Sequence, residues 1–246
     1  MSALPKVECI KHNLDLPELG KKIKFRGFTN REHKLILEAI EMQDEMVLLN
    51  TILDIVDACT FKELDIQKIP THLVDWIYLQ IHIKSTGQVQ MAQYTCNNVV
   101  DGEKCPGDFQ IRLPLEEAGI VYPTAYNESK VIMLDAKKNI GIKLKSPNFE
   151  ELKTVDLGKD VMNITDHFIM TCIDSVFSQD QILVPGADFT VDEAIEWFNE
   201  LDGESLRKIS KFFKDMPYIG LSVPVTCPIC KRKEIIELKG LQDFFV

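Results

Sequence analysis

Four cysteines stand in two local pairs: Cys96 and Cys105 in QYTCNNVVDGEKCPGDFQIRL, and Cys227 and Cys230 in VPVTCPICKRKEIIEL. Each pair lies in a strand, turn, strand setting. A structural zinc site takes about four ligands at tetrahedral corners, and the usual solution is two sequence-local pairs brought together by the fold. Cys227-Pro228-Ile229-Cys230 is a tight knuckle that lets both thiolates face one ion while turn N–H groups stabilise their charge. Cys96 and Cys105 enclose the turn-rich NNVVDGEK, and Pro106-Gly107 supplies turn chemistry beside the second of them. The long excursion between the pairs is compatible with a ribbon, because two hairpins need only meet in space. The sequence therefore predicts one structural Zn2+ held by Cys96, Cys105, Cys227 and Cys230. Three readings compete with it: a redox pair at Cys227 and Cys230, a site without metal, and a histidine such as His82 replacing one ligand. A redox pair normally opens a helix, whose N-terminus lowers the thiol pKa, whereas this one precedes the strand-like KEIIEL. Cys9, Cys59 and Cys172 lie away from partners and read as ordinary apolar or surface residues.

Hydrophobic spacing indicates which elements position the cysteines. Alternation in Lys22-Ile23-Lys24-Phe25-Arg26 predicts a strand with Ile23 and Phe25 on one face, and TNRE from Thr29 to Glu32 fits a capping box. Leu35, Ile36, Ala39 and Ile40 give the helix that follows an apolar stripe. A second helix buries Val47, Leu48, Ile52, Ile55, Val56 and Cys59, and a third, capped by Thr71, turns Leu73, Trp76, Ile77 and Ile81 inward and ends near Gly87. VIMLDAKKNIGIKL reads as a hairpin around AKKN. DVMNITDHFIMTCIDSVFSQ reads as one amphipathic helix with Val161, Ile164, Phe168, Ile169, Cys172, Ile173 and Val176 inward. Two more helices follow, one capped by Thr190 and one stopped by Pro217. The expected class is α+β: an N-terminal strand and helical unit over 1–88, a zinc-ribbon-like β element of paired cysteine hairpins from 89–115 and 221–246, and an inserted hairpin and three-helix unit over 116–220. Leu241, Phe244 and Phe245 either dock into the core or offer a hydrophobic handle to a partner.

Composition narrows the function. The 246 residues are 45% hydrophobic, enough for a sizeable core. The 38 acidic against 28 basic residues give a net charge of -10, which disfavours sequence-independent attraction to phosphate backbones. Short basic runs, GKKIKFR and CKRKE, keep a zinc-ribbon regulator binding nucleic acid or RNA polymerase as the alternative. With neither an 18-residue apolar run nor a signal-like N-terminus, the chain is expected in the cytoplasm, where thiols stay reduced, so the seven cysteines do not form a disulfide framework. GxSxG, HExxH, P-loop and GxGxxG patterns do not occur, and His12, His33, His72, His82 and His167 lack ligand or triad spacing. Four thiolates would close a zinc shell and leave no Lewis-acid position, so the site reads as architecture and the protein as a non-enzyme.

One combination of motifs points further. KKIKFRGFTNREHKLILEAI, LDIQKIPTHLVDWIYLQIHIKSTGQ, YTC with a second cysteine nearby, and CPIC before a short strand occur in that order. This arrangement resembles the baseplate hub assembly proteins of T-even-like tailed phages. The matching positions are Phe25, Arg26, Phe28, Glu32, Lys34, Leu35, Asp65, Ile66, Pro70, Lys84, Ser85 and Gly87. Gly27, where that family often has proline, and His82, where it has arginine, depart from the pattern, as does the cysteine insertion. The resemblance implies a viral tail assembly factor, either chaperone-like or a minor hub component. It would bind tail hub or tape-measure proteins, in the host cytoplasm during assembly or in the virion baseplate. Phe25 and Arg26 read equally as architectural, with Arg26 pairing to a helix carboxylate.

Overall fold

The computed structural model describes residues 8–153 and 161–244. They form two compact units, one drawn from residues up to 66, 72–120 and 218 onward, the other from 67–71 and 121–217.

The first unit opens with strand β1 (His12–Leu16), which pairs antiparallel with β2 (Lys21–Phe25), His12 facing Phe25. Gly20 links them at φ 60, a left-handed turn position that suits glycine. Ile23 and Phe25 are buried on one face, as the alternation predicts, and Leu16 joins them from β1, a strand the sequence reading lacks. Helices α1 (Asn30–Glu41), α2 (Glu45–Cys59) and α3 (Thr71–Thr86) follow. The Thr29–Glu32 capping box starts α1, and the Asp44 carboxylate accepts the Met46 and Val47 N–H groups to start α2. Thr71 is the first helical residue of α3. The expected stripe of α1 is narrower than its sequence suggests. Ile36 and Ala39 are buried, but Leu35 and Ile40 are 45% and 53% exposed, because three-to-four residue spacing admits only part of that set to one side. Val47 of α2 is likewise exposed, while Ile55, Val56 and Cys59 are buried.

The junction between β2 and α1 is fastened by hydrogen bonds. Arg26 donates from both terminal nitrogens to the two Glu32 oxygens at 2.8 and 2.7 Å, and its backbone N–H donates to the Cys59 carbonyl at 3.0 Å. The Phe28 N–H donates to Ser85 Oγ at 2.8 Å, and that hydroxyl donates to the Ile81 carbonyl at 2.6 Å. Gly27 passes so close to α3 that a Cβ there would lie 2.9 Å from Ser85 Oγ and 3.1 Å from the Lys84 carbonyl oxygen. The departure from proline at Gly27 therefore matches the space available.

The chain continues through β3 (Val89–Thr95), β4 (Val99–Val100), β5 (Glu103–Lys104), β6 (Asp108–Pro114) and β7 (Gly119–Val121). In the second unit it forms α4 (Tyr126–Ser129), β8 (Val131–Asp135), β9 (Ile140–Leu144), α5 (Phe149–Leu152), α6 (Val161–Thr171), β10 (Ile173–Phe177), β11 (Ile182–Leu183), α7 (Val191–Asn199) and α8 (Gly203–Lys214). The β8–β9 hairpin is the expected one. One expectation is corrected: helix ends at Thr171, and Ile173, Ser175 and Phe177 instead form β10, opposite Leu144, Lys143 and Gly141 of β9. Pairing with β9 and β11 outweighs the local helical pattern, and the unit carries a four-stranded sheet in the order β11-β10-β9-β8. Phe168, Ile169, Cys172, Ile173 and Val176 pack into its core with Ala194, Phe198, Ile209 and Phe212. The side chains of Val161 and Ile164 lie outside the described residues. Thr190 and Glu193 form the capping box of α7, and the Asp202 carboxylate caps α8.

Strands β12 (Tyr218–Thr226) and β13 (Lys233–Lys239) return the chain to the first unit, where β12 stands between β13 and β7. Leu221, Val223 and Val225 of β12 share a core with Leu79 and Ile83 of α3, Leu113 of β6 and Phe244. Phe244 is buried and its carbonyl accepts a hydrogen bond from Gln90 Nε2 at 2.7 Å, so it docks into its own fold; Phe245 lies outside the described residues.

The Glu32 carboxyl is held down at about 2, first by the Arg26 hydrogen bond and further by the Thr29 N–H and hydroxyl. A depressed folded-state value contributes stability above the unfolded value near 4.5 that is lost as pH falls toward 2. Glu32→Gln should lower stability at pH 7 by about 2–4 kcal/mol and make the variant's stability fall less steeply than the wild type's between these values. Urea unfolding across that range measures both, and an unchanged stability at pH 7 would contradict the fastening role.

Candidate metal centre

The β3–β6 hairpin supplies the first half of the centre. β3 pairs with β6 along its whole length, Val89 facing Pro114 and Thr95 facing Asp108, so the residues just beyond Thr95 and just before Asp108 come together. Cys96 and Cys105 stand there. Between them the chain forms a small second hairpin, with Val99 facing Lys104 and Val100 facing Glu103. Its turn is Asp101-Gly102, at φ 52 and 86, the two-residue Asp-Gly connection that matches strand twist. The Cys105 N–H donates to the Asn98 carbonyl at 2.8 Å and the Cys96 N–H to the Gly107 carbonyl at 2.7 Å, which fixes both Cα positions.

The second half is the end of β12. Strands β12 and β13 pair in continuous register from Gly220 facing Lys239 to Thr226 facing Lys233. The connecting turn closes through Cys227 N–H to the Arg232 carbonyl at 2.9 Å and Lys231 N–H to the Cys227 carbonyl at 3.1 Å, with Lys231 at φ 60. Both cysteines therefore occupy a turn between two strands, away from any helix N-terminus.

The two halves meet. The four sulfurs lie within 4.8 Å of one another, with Cys96 and Cys230 Sγ 3.7 Å apart and Cys105 and Cys227 Sγ 3.8 Å apart. A tetrahedron with Zn–S near 2.3 Å has S···S edges of roughly 3.8 Å, whereas a disulfide requires about 2.05 Å. The donor set and spacing therefore fit one tetrahedral thiophilic ion, and all four cysteines are free of disulfides. Cys96, Cys105 and Cys227 are buried and Cys230 is half-buried. Tyr94 and Phe109, which face each other across β3 and β6, pack against the cluster and against one another edge to face at 5.4 Å.

The local environment separates the thiols. The Arg232 N–H, followed by the Asn98 side chain, draws Cys230 down to about 6. Asn98 is itself held by Arg232, whose guanidinium donates to its Oδ1 at 3.2 Å while its Nδ2 donates to Cys230 Sγ at 3.5 Å. Burial pushes Cys105 up to about 11. Cys96 accepts the Asn98 N–H, which lowers its pKa, but burial and the neighbouring thiols outweigh this and push it up. A cation is what would let all four act as thiolates together.

The remaining candidates fall elsewhere. His82 packs on α3 against Phe28 and Tyr78, at ring separations of 6.1 and 6.2 Å, and is not among the clustered ligands. His33 is exposed on the outer face of α1, where it stacks on Phe28. Cys59 and Cys172 are buried with pKa values pushed up to about 12 by burial, which makes them inert; Cys9 is exposed. Asn98 and Gly107 are contributors that the sequence reading did not assign. In sequence Gly107 shows only turn chemistry, yet a Cβ there would lie 2.7 Å from Cys227 Sγ and 3.1 Å from Cys96 Cβ.

The family model described as T4 bacteriophage base plate protein matches residues 9–246, which agrees with the resemblance carried by Phe25 to Gly87 and the cysteine pairs. No curated protein and no solved structure matches the chain. No helix among the described residues is long and apolar enough to cross a membrane.

Gly107→Ala tests the packing of the four thiols. The added methyl must displace Cys227 from Cys96, so unfolding should require about 1–3 kcal/mol less free energy, and alkylation of Cys227 should accelerate. Wild-type stability and alkylation rate in the variant would contradict the close approach at this glycine.

Proposed function

We propose a function from one premise: the chain belongs to the T4 bacteriophage base plate protein family. The protein acts as an assembly factor for the baseplate hub of a phage tail, as a chaperone-like helper or a minor hub component. It works by binding other chains rather than by catalysis. Tail hub or tape-measure proteins are its partners, in the host cytoplasm during assembly or in the baseplate of the virion. Cys96, Cys105, Cys227 and Cys230 hold one structural zinc ion.

The assembly reading is carried by the family match over residues 9–246, and the zinc assignment by the convergence of four thiols at 3.7–3.8 Å contacts from two separate hairpins. Four protein ligands would fill a tetrahedral shell, so the metal would stabilise the fold and offer no site for substrate or water. What remains for function is surface. The chain's net charge of -10 favours protein partners over nucleic acid.

Metal analysis of purified protein should find about one zinc per chain, released as pH falls and the thiolates protonate. Cys227→Ser should abolish zinc binding and lower stability by several kcal/mol, since it leaves three thiolates without a closed shell. Purification from infected cells should recover tail proteins. Recovery of polymerase subunits without tail proteins, or steeply salt-dependent binding to DNA or RNA, would replace the assembly role with a regulatory one.

A further inference from the structure

The second unit carries an apolar recess of about 260 Å3 between the β10–β11 hairpin and α7, lined by Val176, Leu183, Phe189, Ala194 and Trp197 together with Glu193. Its volume is below the roughly 300–1,000 Å3 of small-molecule pockets and suits one large side chain. The recess does not stand alone. Ile182, 72% exposed, and the exposed Val184 flank Leu183 in the chain, and Val191 begins α7 beside Glu193, also exposed.

The chain segment that supplies most of this lining carries charge of one sign. Residues 178–206 contain eight aspartates and glutamates and no lysine, arginine or histidine, against -10 for the whole protein. All eight are exposed. Some have local work: Asp188 accepts the Val184 N–H, Glu193 and Asp202 cap helices, and Glu204 pairs with Lys208. Among the described residues, Asp180, Asp192, Glu196 and Glu200 take part in no ion pair. Like charges concentrated around a low-dielectric recess repel phosphate groups and anionic lipid headgroups and raise the local concentration of cations.

We propose that this recess is a docking site for a partner protein segment that inserts one large aromatic or aliphatic side chain flanked by lysines or arginines. The apolar lining selects the anchor, and the surrounding carboxylates select the flanking charge and accelerate encounter. The inference rests on the protein-binding reading above and adds the surface and the chemistry of the partner.

Selection of a displayed library of peptides, each about a dozen residues long, on the full chain tests this. Enriched peptides should carry an aromatic or leucine anchor with basic neighbours, and synthetic copies should bind more weakly as salt rises. The exposed double variant Glu196→Lys, Glu200→Lys, away from the first turn of α7, should weaken binding by about tenfold or more without changing the unfolding midpoint. Ala194→Met, which fills the recess, should weaken it comparably while keeping the salt dependence. Enrichment without basic residues, or equal binding to wild type and both variants, would overturn the proposal. So would attachment to phosphatidylglycerol vesicles that the recess-filling variant abolishes. If tail proteins co-purify equally with wild type and both variants, this surface is wrong and the assembly role stands. If peptides bind at the recess but tail proteins never co-purify, the assembly role fails and the surface stands.

Discussion

The approach of Cys105 to Cys227 across 122 positions of sequence is the constraint on which the ribbon depends. The β3–β6 and β4–β5 pairs are two-stranded sheets, an arrangement that is marginal alone in water. Sulfur contacts at 3.7–3.8 Å contribute only weak S–H···S bonding and dispersion, and without a cation Cys230 alone, through the Arg232 N–H and Asn98, is drawn toward the thiolate while burial holds Cys96 and Cys105 as thiols. A tie between the hairpins changes that balance. On the chain-entropy picture used for disulfides, closing a loop of about 100 residues contributes roughly 4–5 kcal/mol, comparable to the whole stability of many domains. The aromatic pair Tyr94 and Phe109 and the bare backbone of Gly107 let the thiols come this close, and the Asn98–Arg232 contact orients the most accessible of them.

A second fastening, at the other end of the same unit, explains what the motif residues do. Arg26 joins Glu32 in a two-pronged ion pair, while Gly27 and Phe28 press against Ser85. Phe25, Arg26, Phe28, Glu32 and Ser85, which carry the resemblance to hub assembly proteins, thus hold β2, α1, α2 and α3 in one arrangement. Residues of this kind mark a fold rather than a contact surface. In the proposed account recognition falls instead to the second unit, where the sequence shows a charge bias and no motif.

The clustering of the cysteine pairs was legible because a tight Cys-Pro-Ile-Cys turn before a strand states its geometry locally. The α1 cap and the Arg26 pairing with a helix carboxylate were legible for a similar reason, since both partners lie within a few residues of one another. The Val-Val-Asp-Gly-Glu-Lys hairpin was legible too, through its Asp-Gly pair, but was read only as a turn-rich insertion. Strand β10 was not. Ile173 to Phe177 continue the apolar period of α6, and only the nonlocal edge offered by β9 converts them to strand. Strand β1 was legible in principle, since Asn13-Leu14-Asp15-Leu16 alternates polar and apolar with Leu16 buried, and it pairs along its whole length with β2. The exposure of Leu35 and Ile40 shows the opposite limit: an apolar stripe names candidates for burial, and the packing of neighbouring helices chooses among them.

X-ray absorption at the zinc edge of the purified full chain tests the central claim most directly. The account predicts one shell of four sulfur scatterers near 2.3 Å and no light-atom ligand. Fewer than four sulfurs, a nitrogen or oxygen ligand in the shell, or protein that folds fully with no zinc to observe would contradict it.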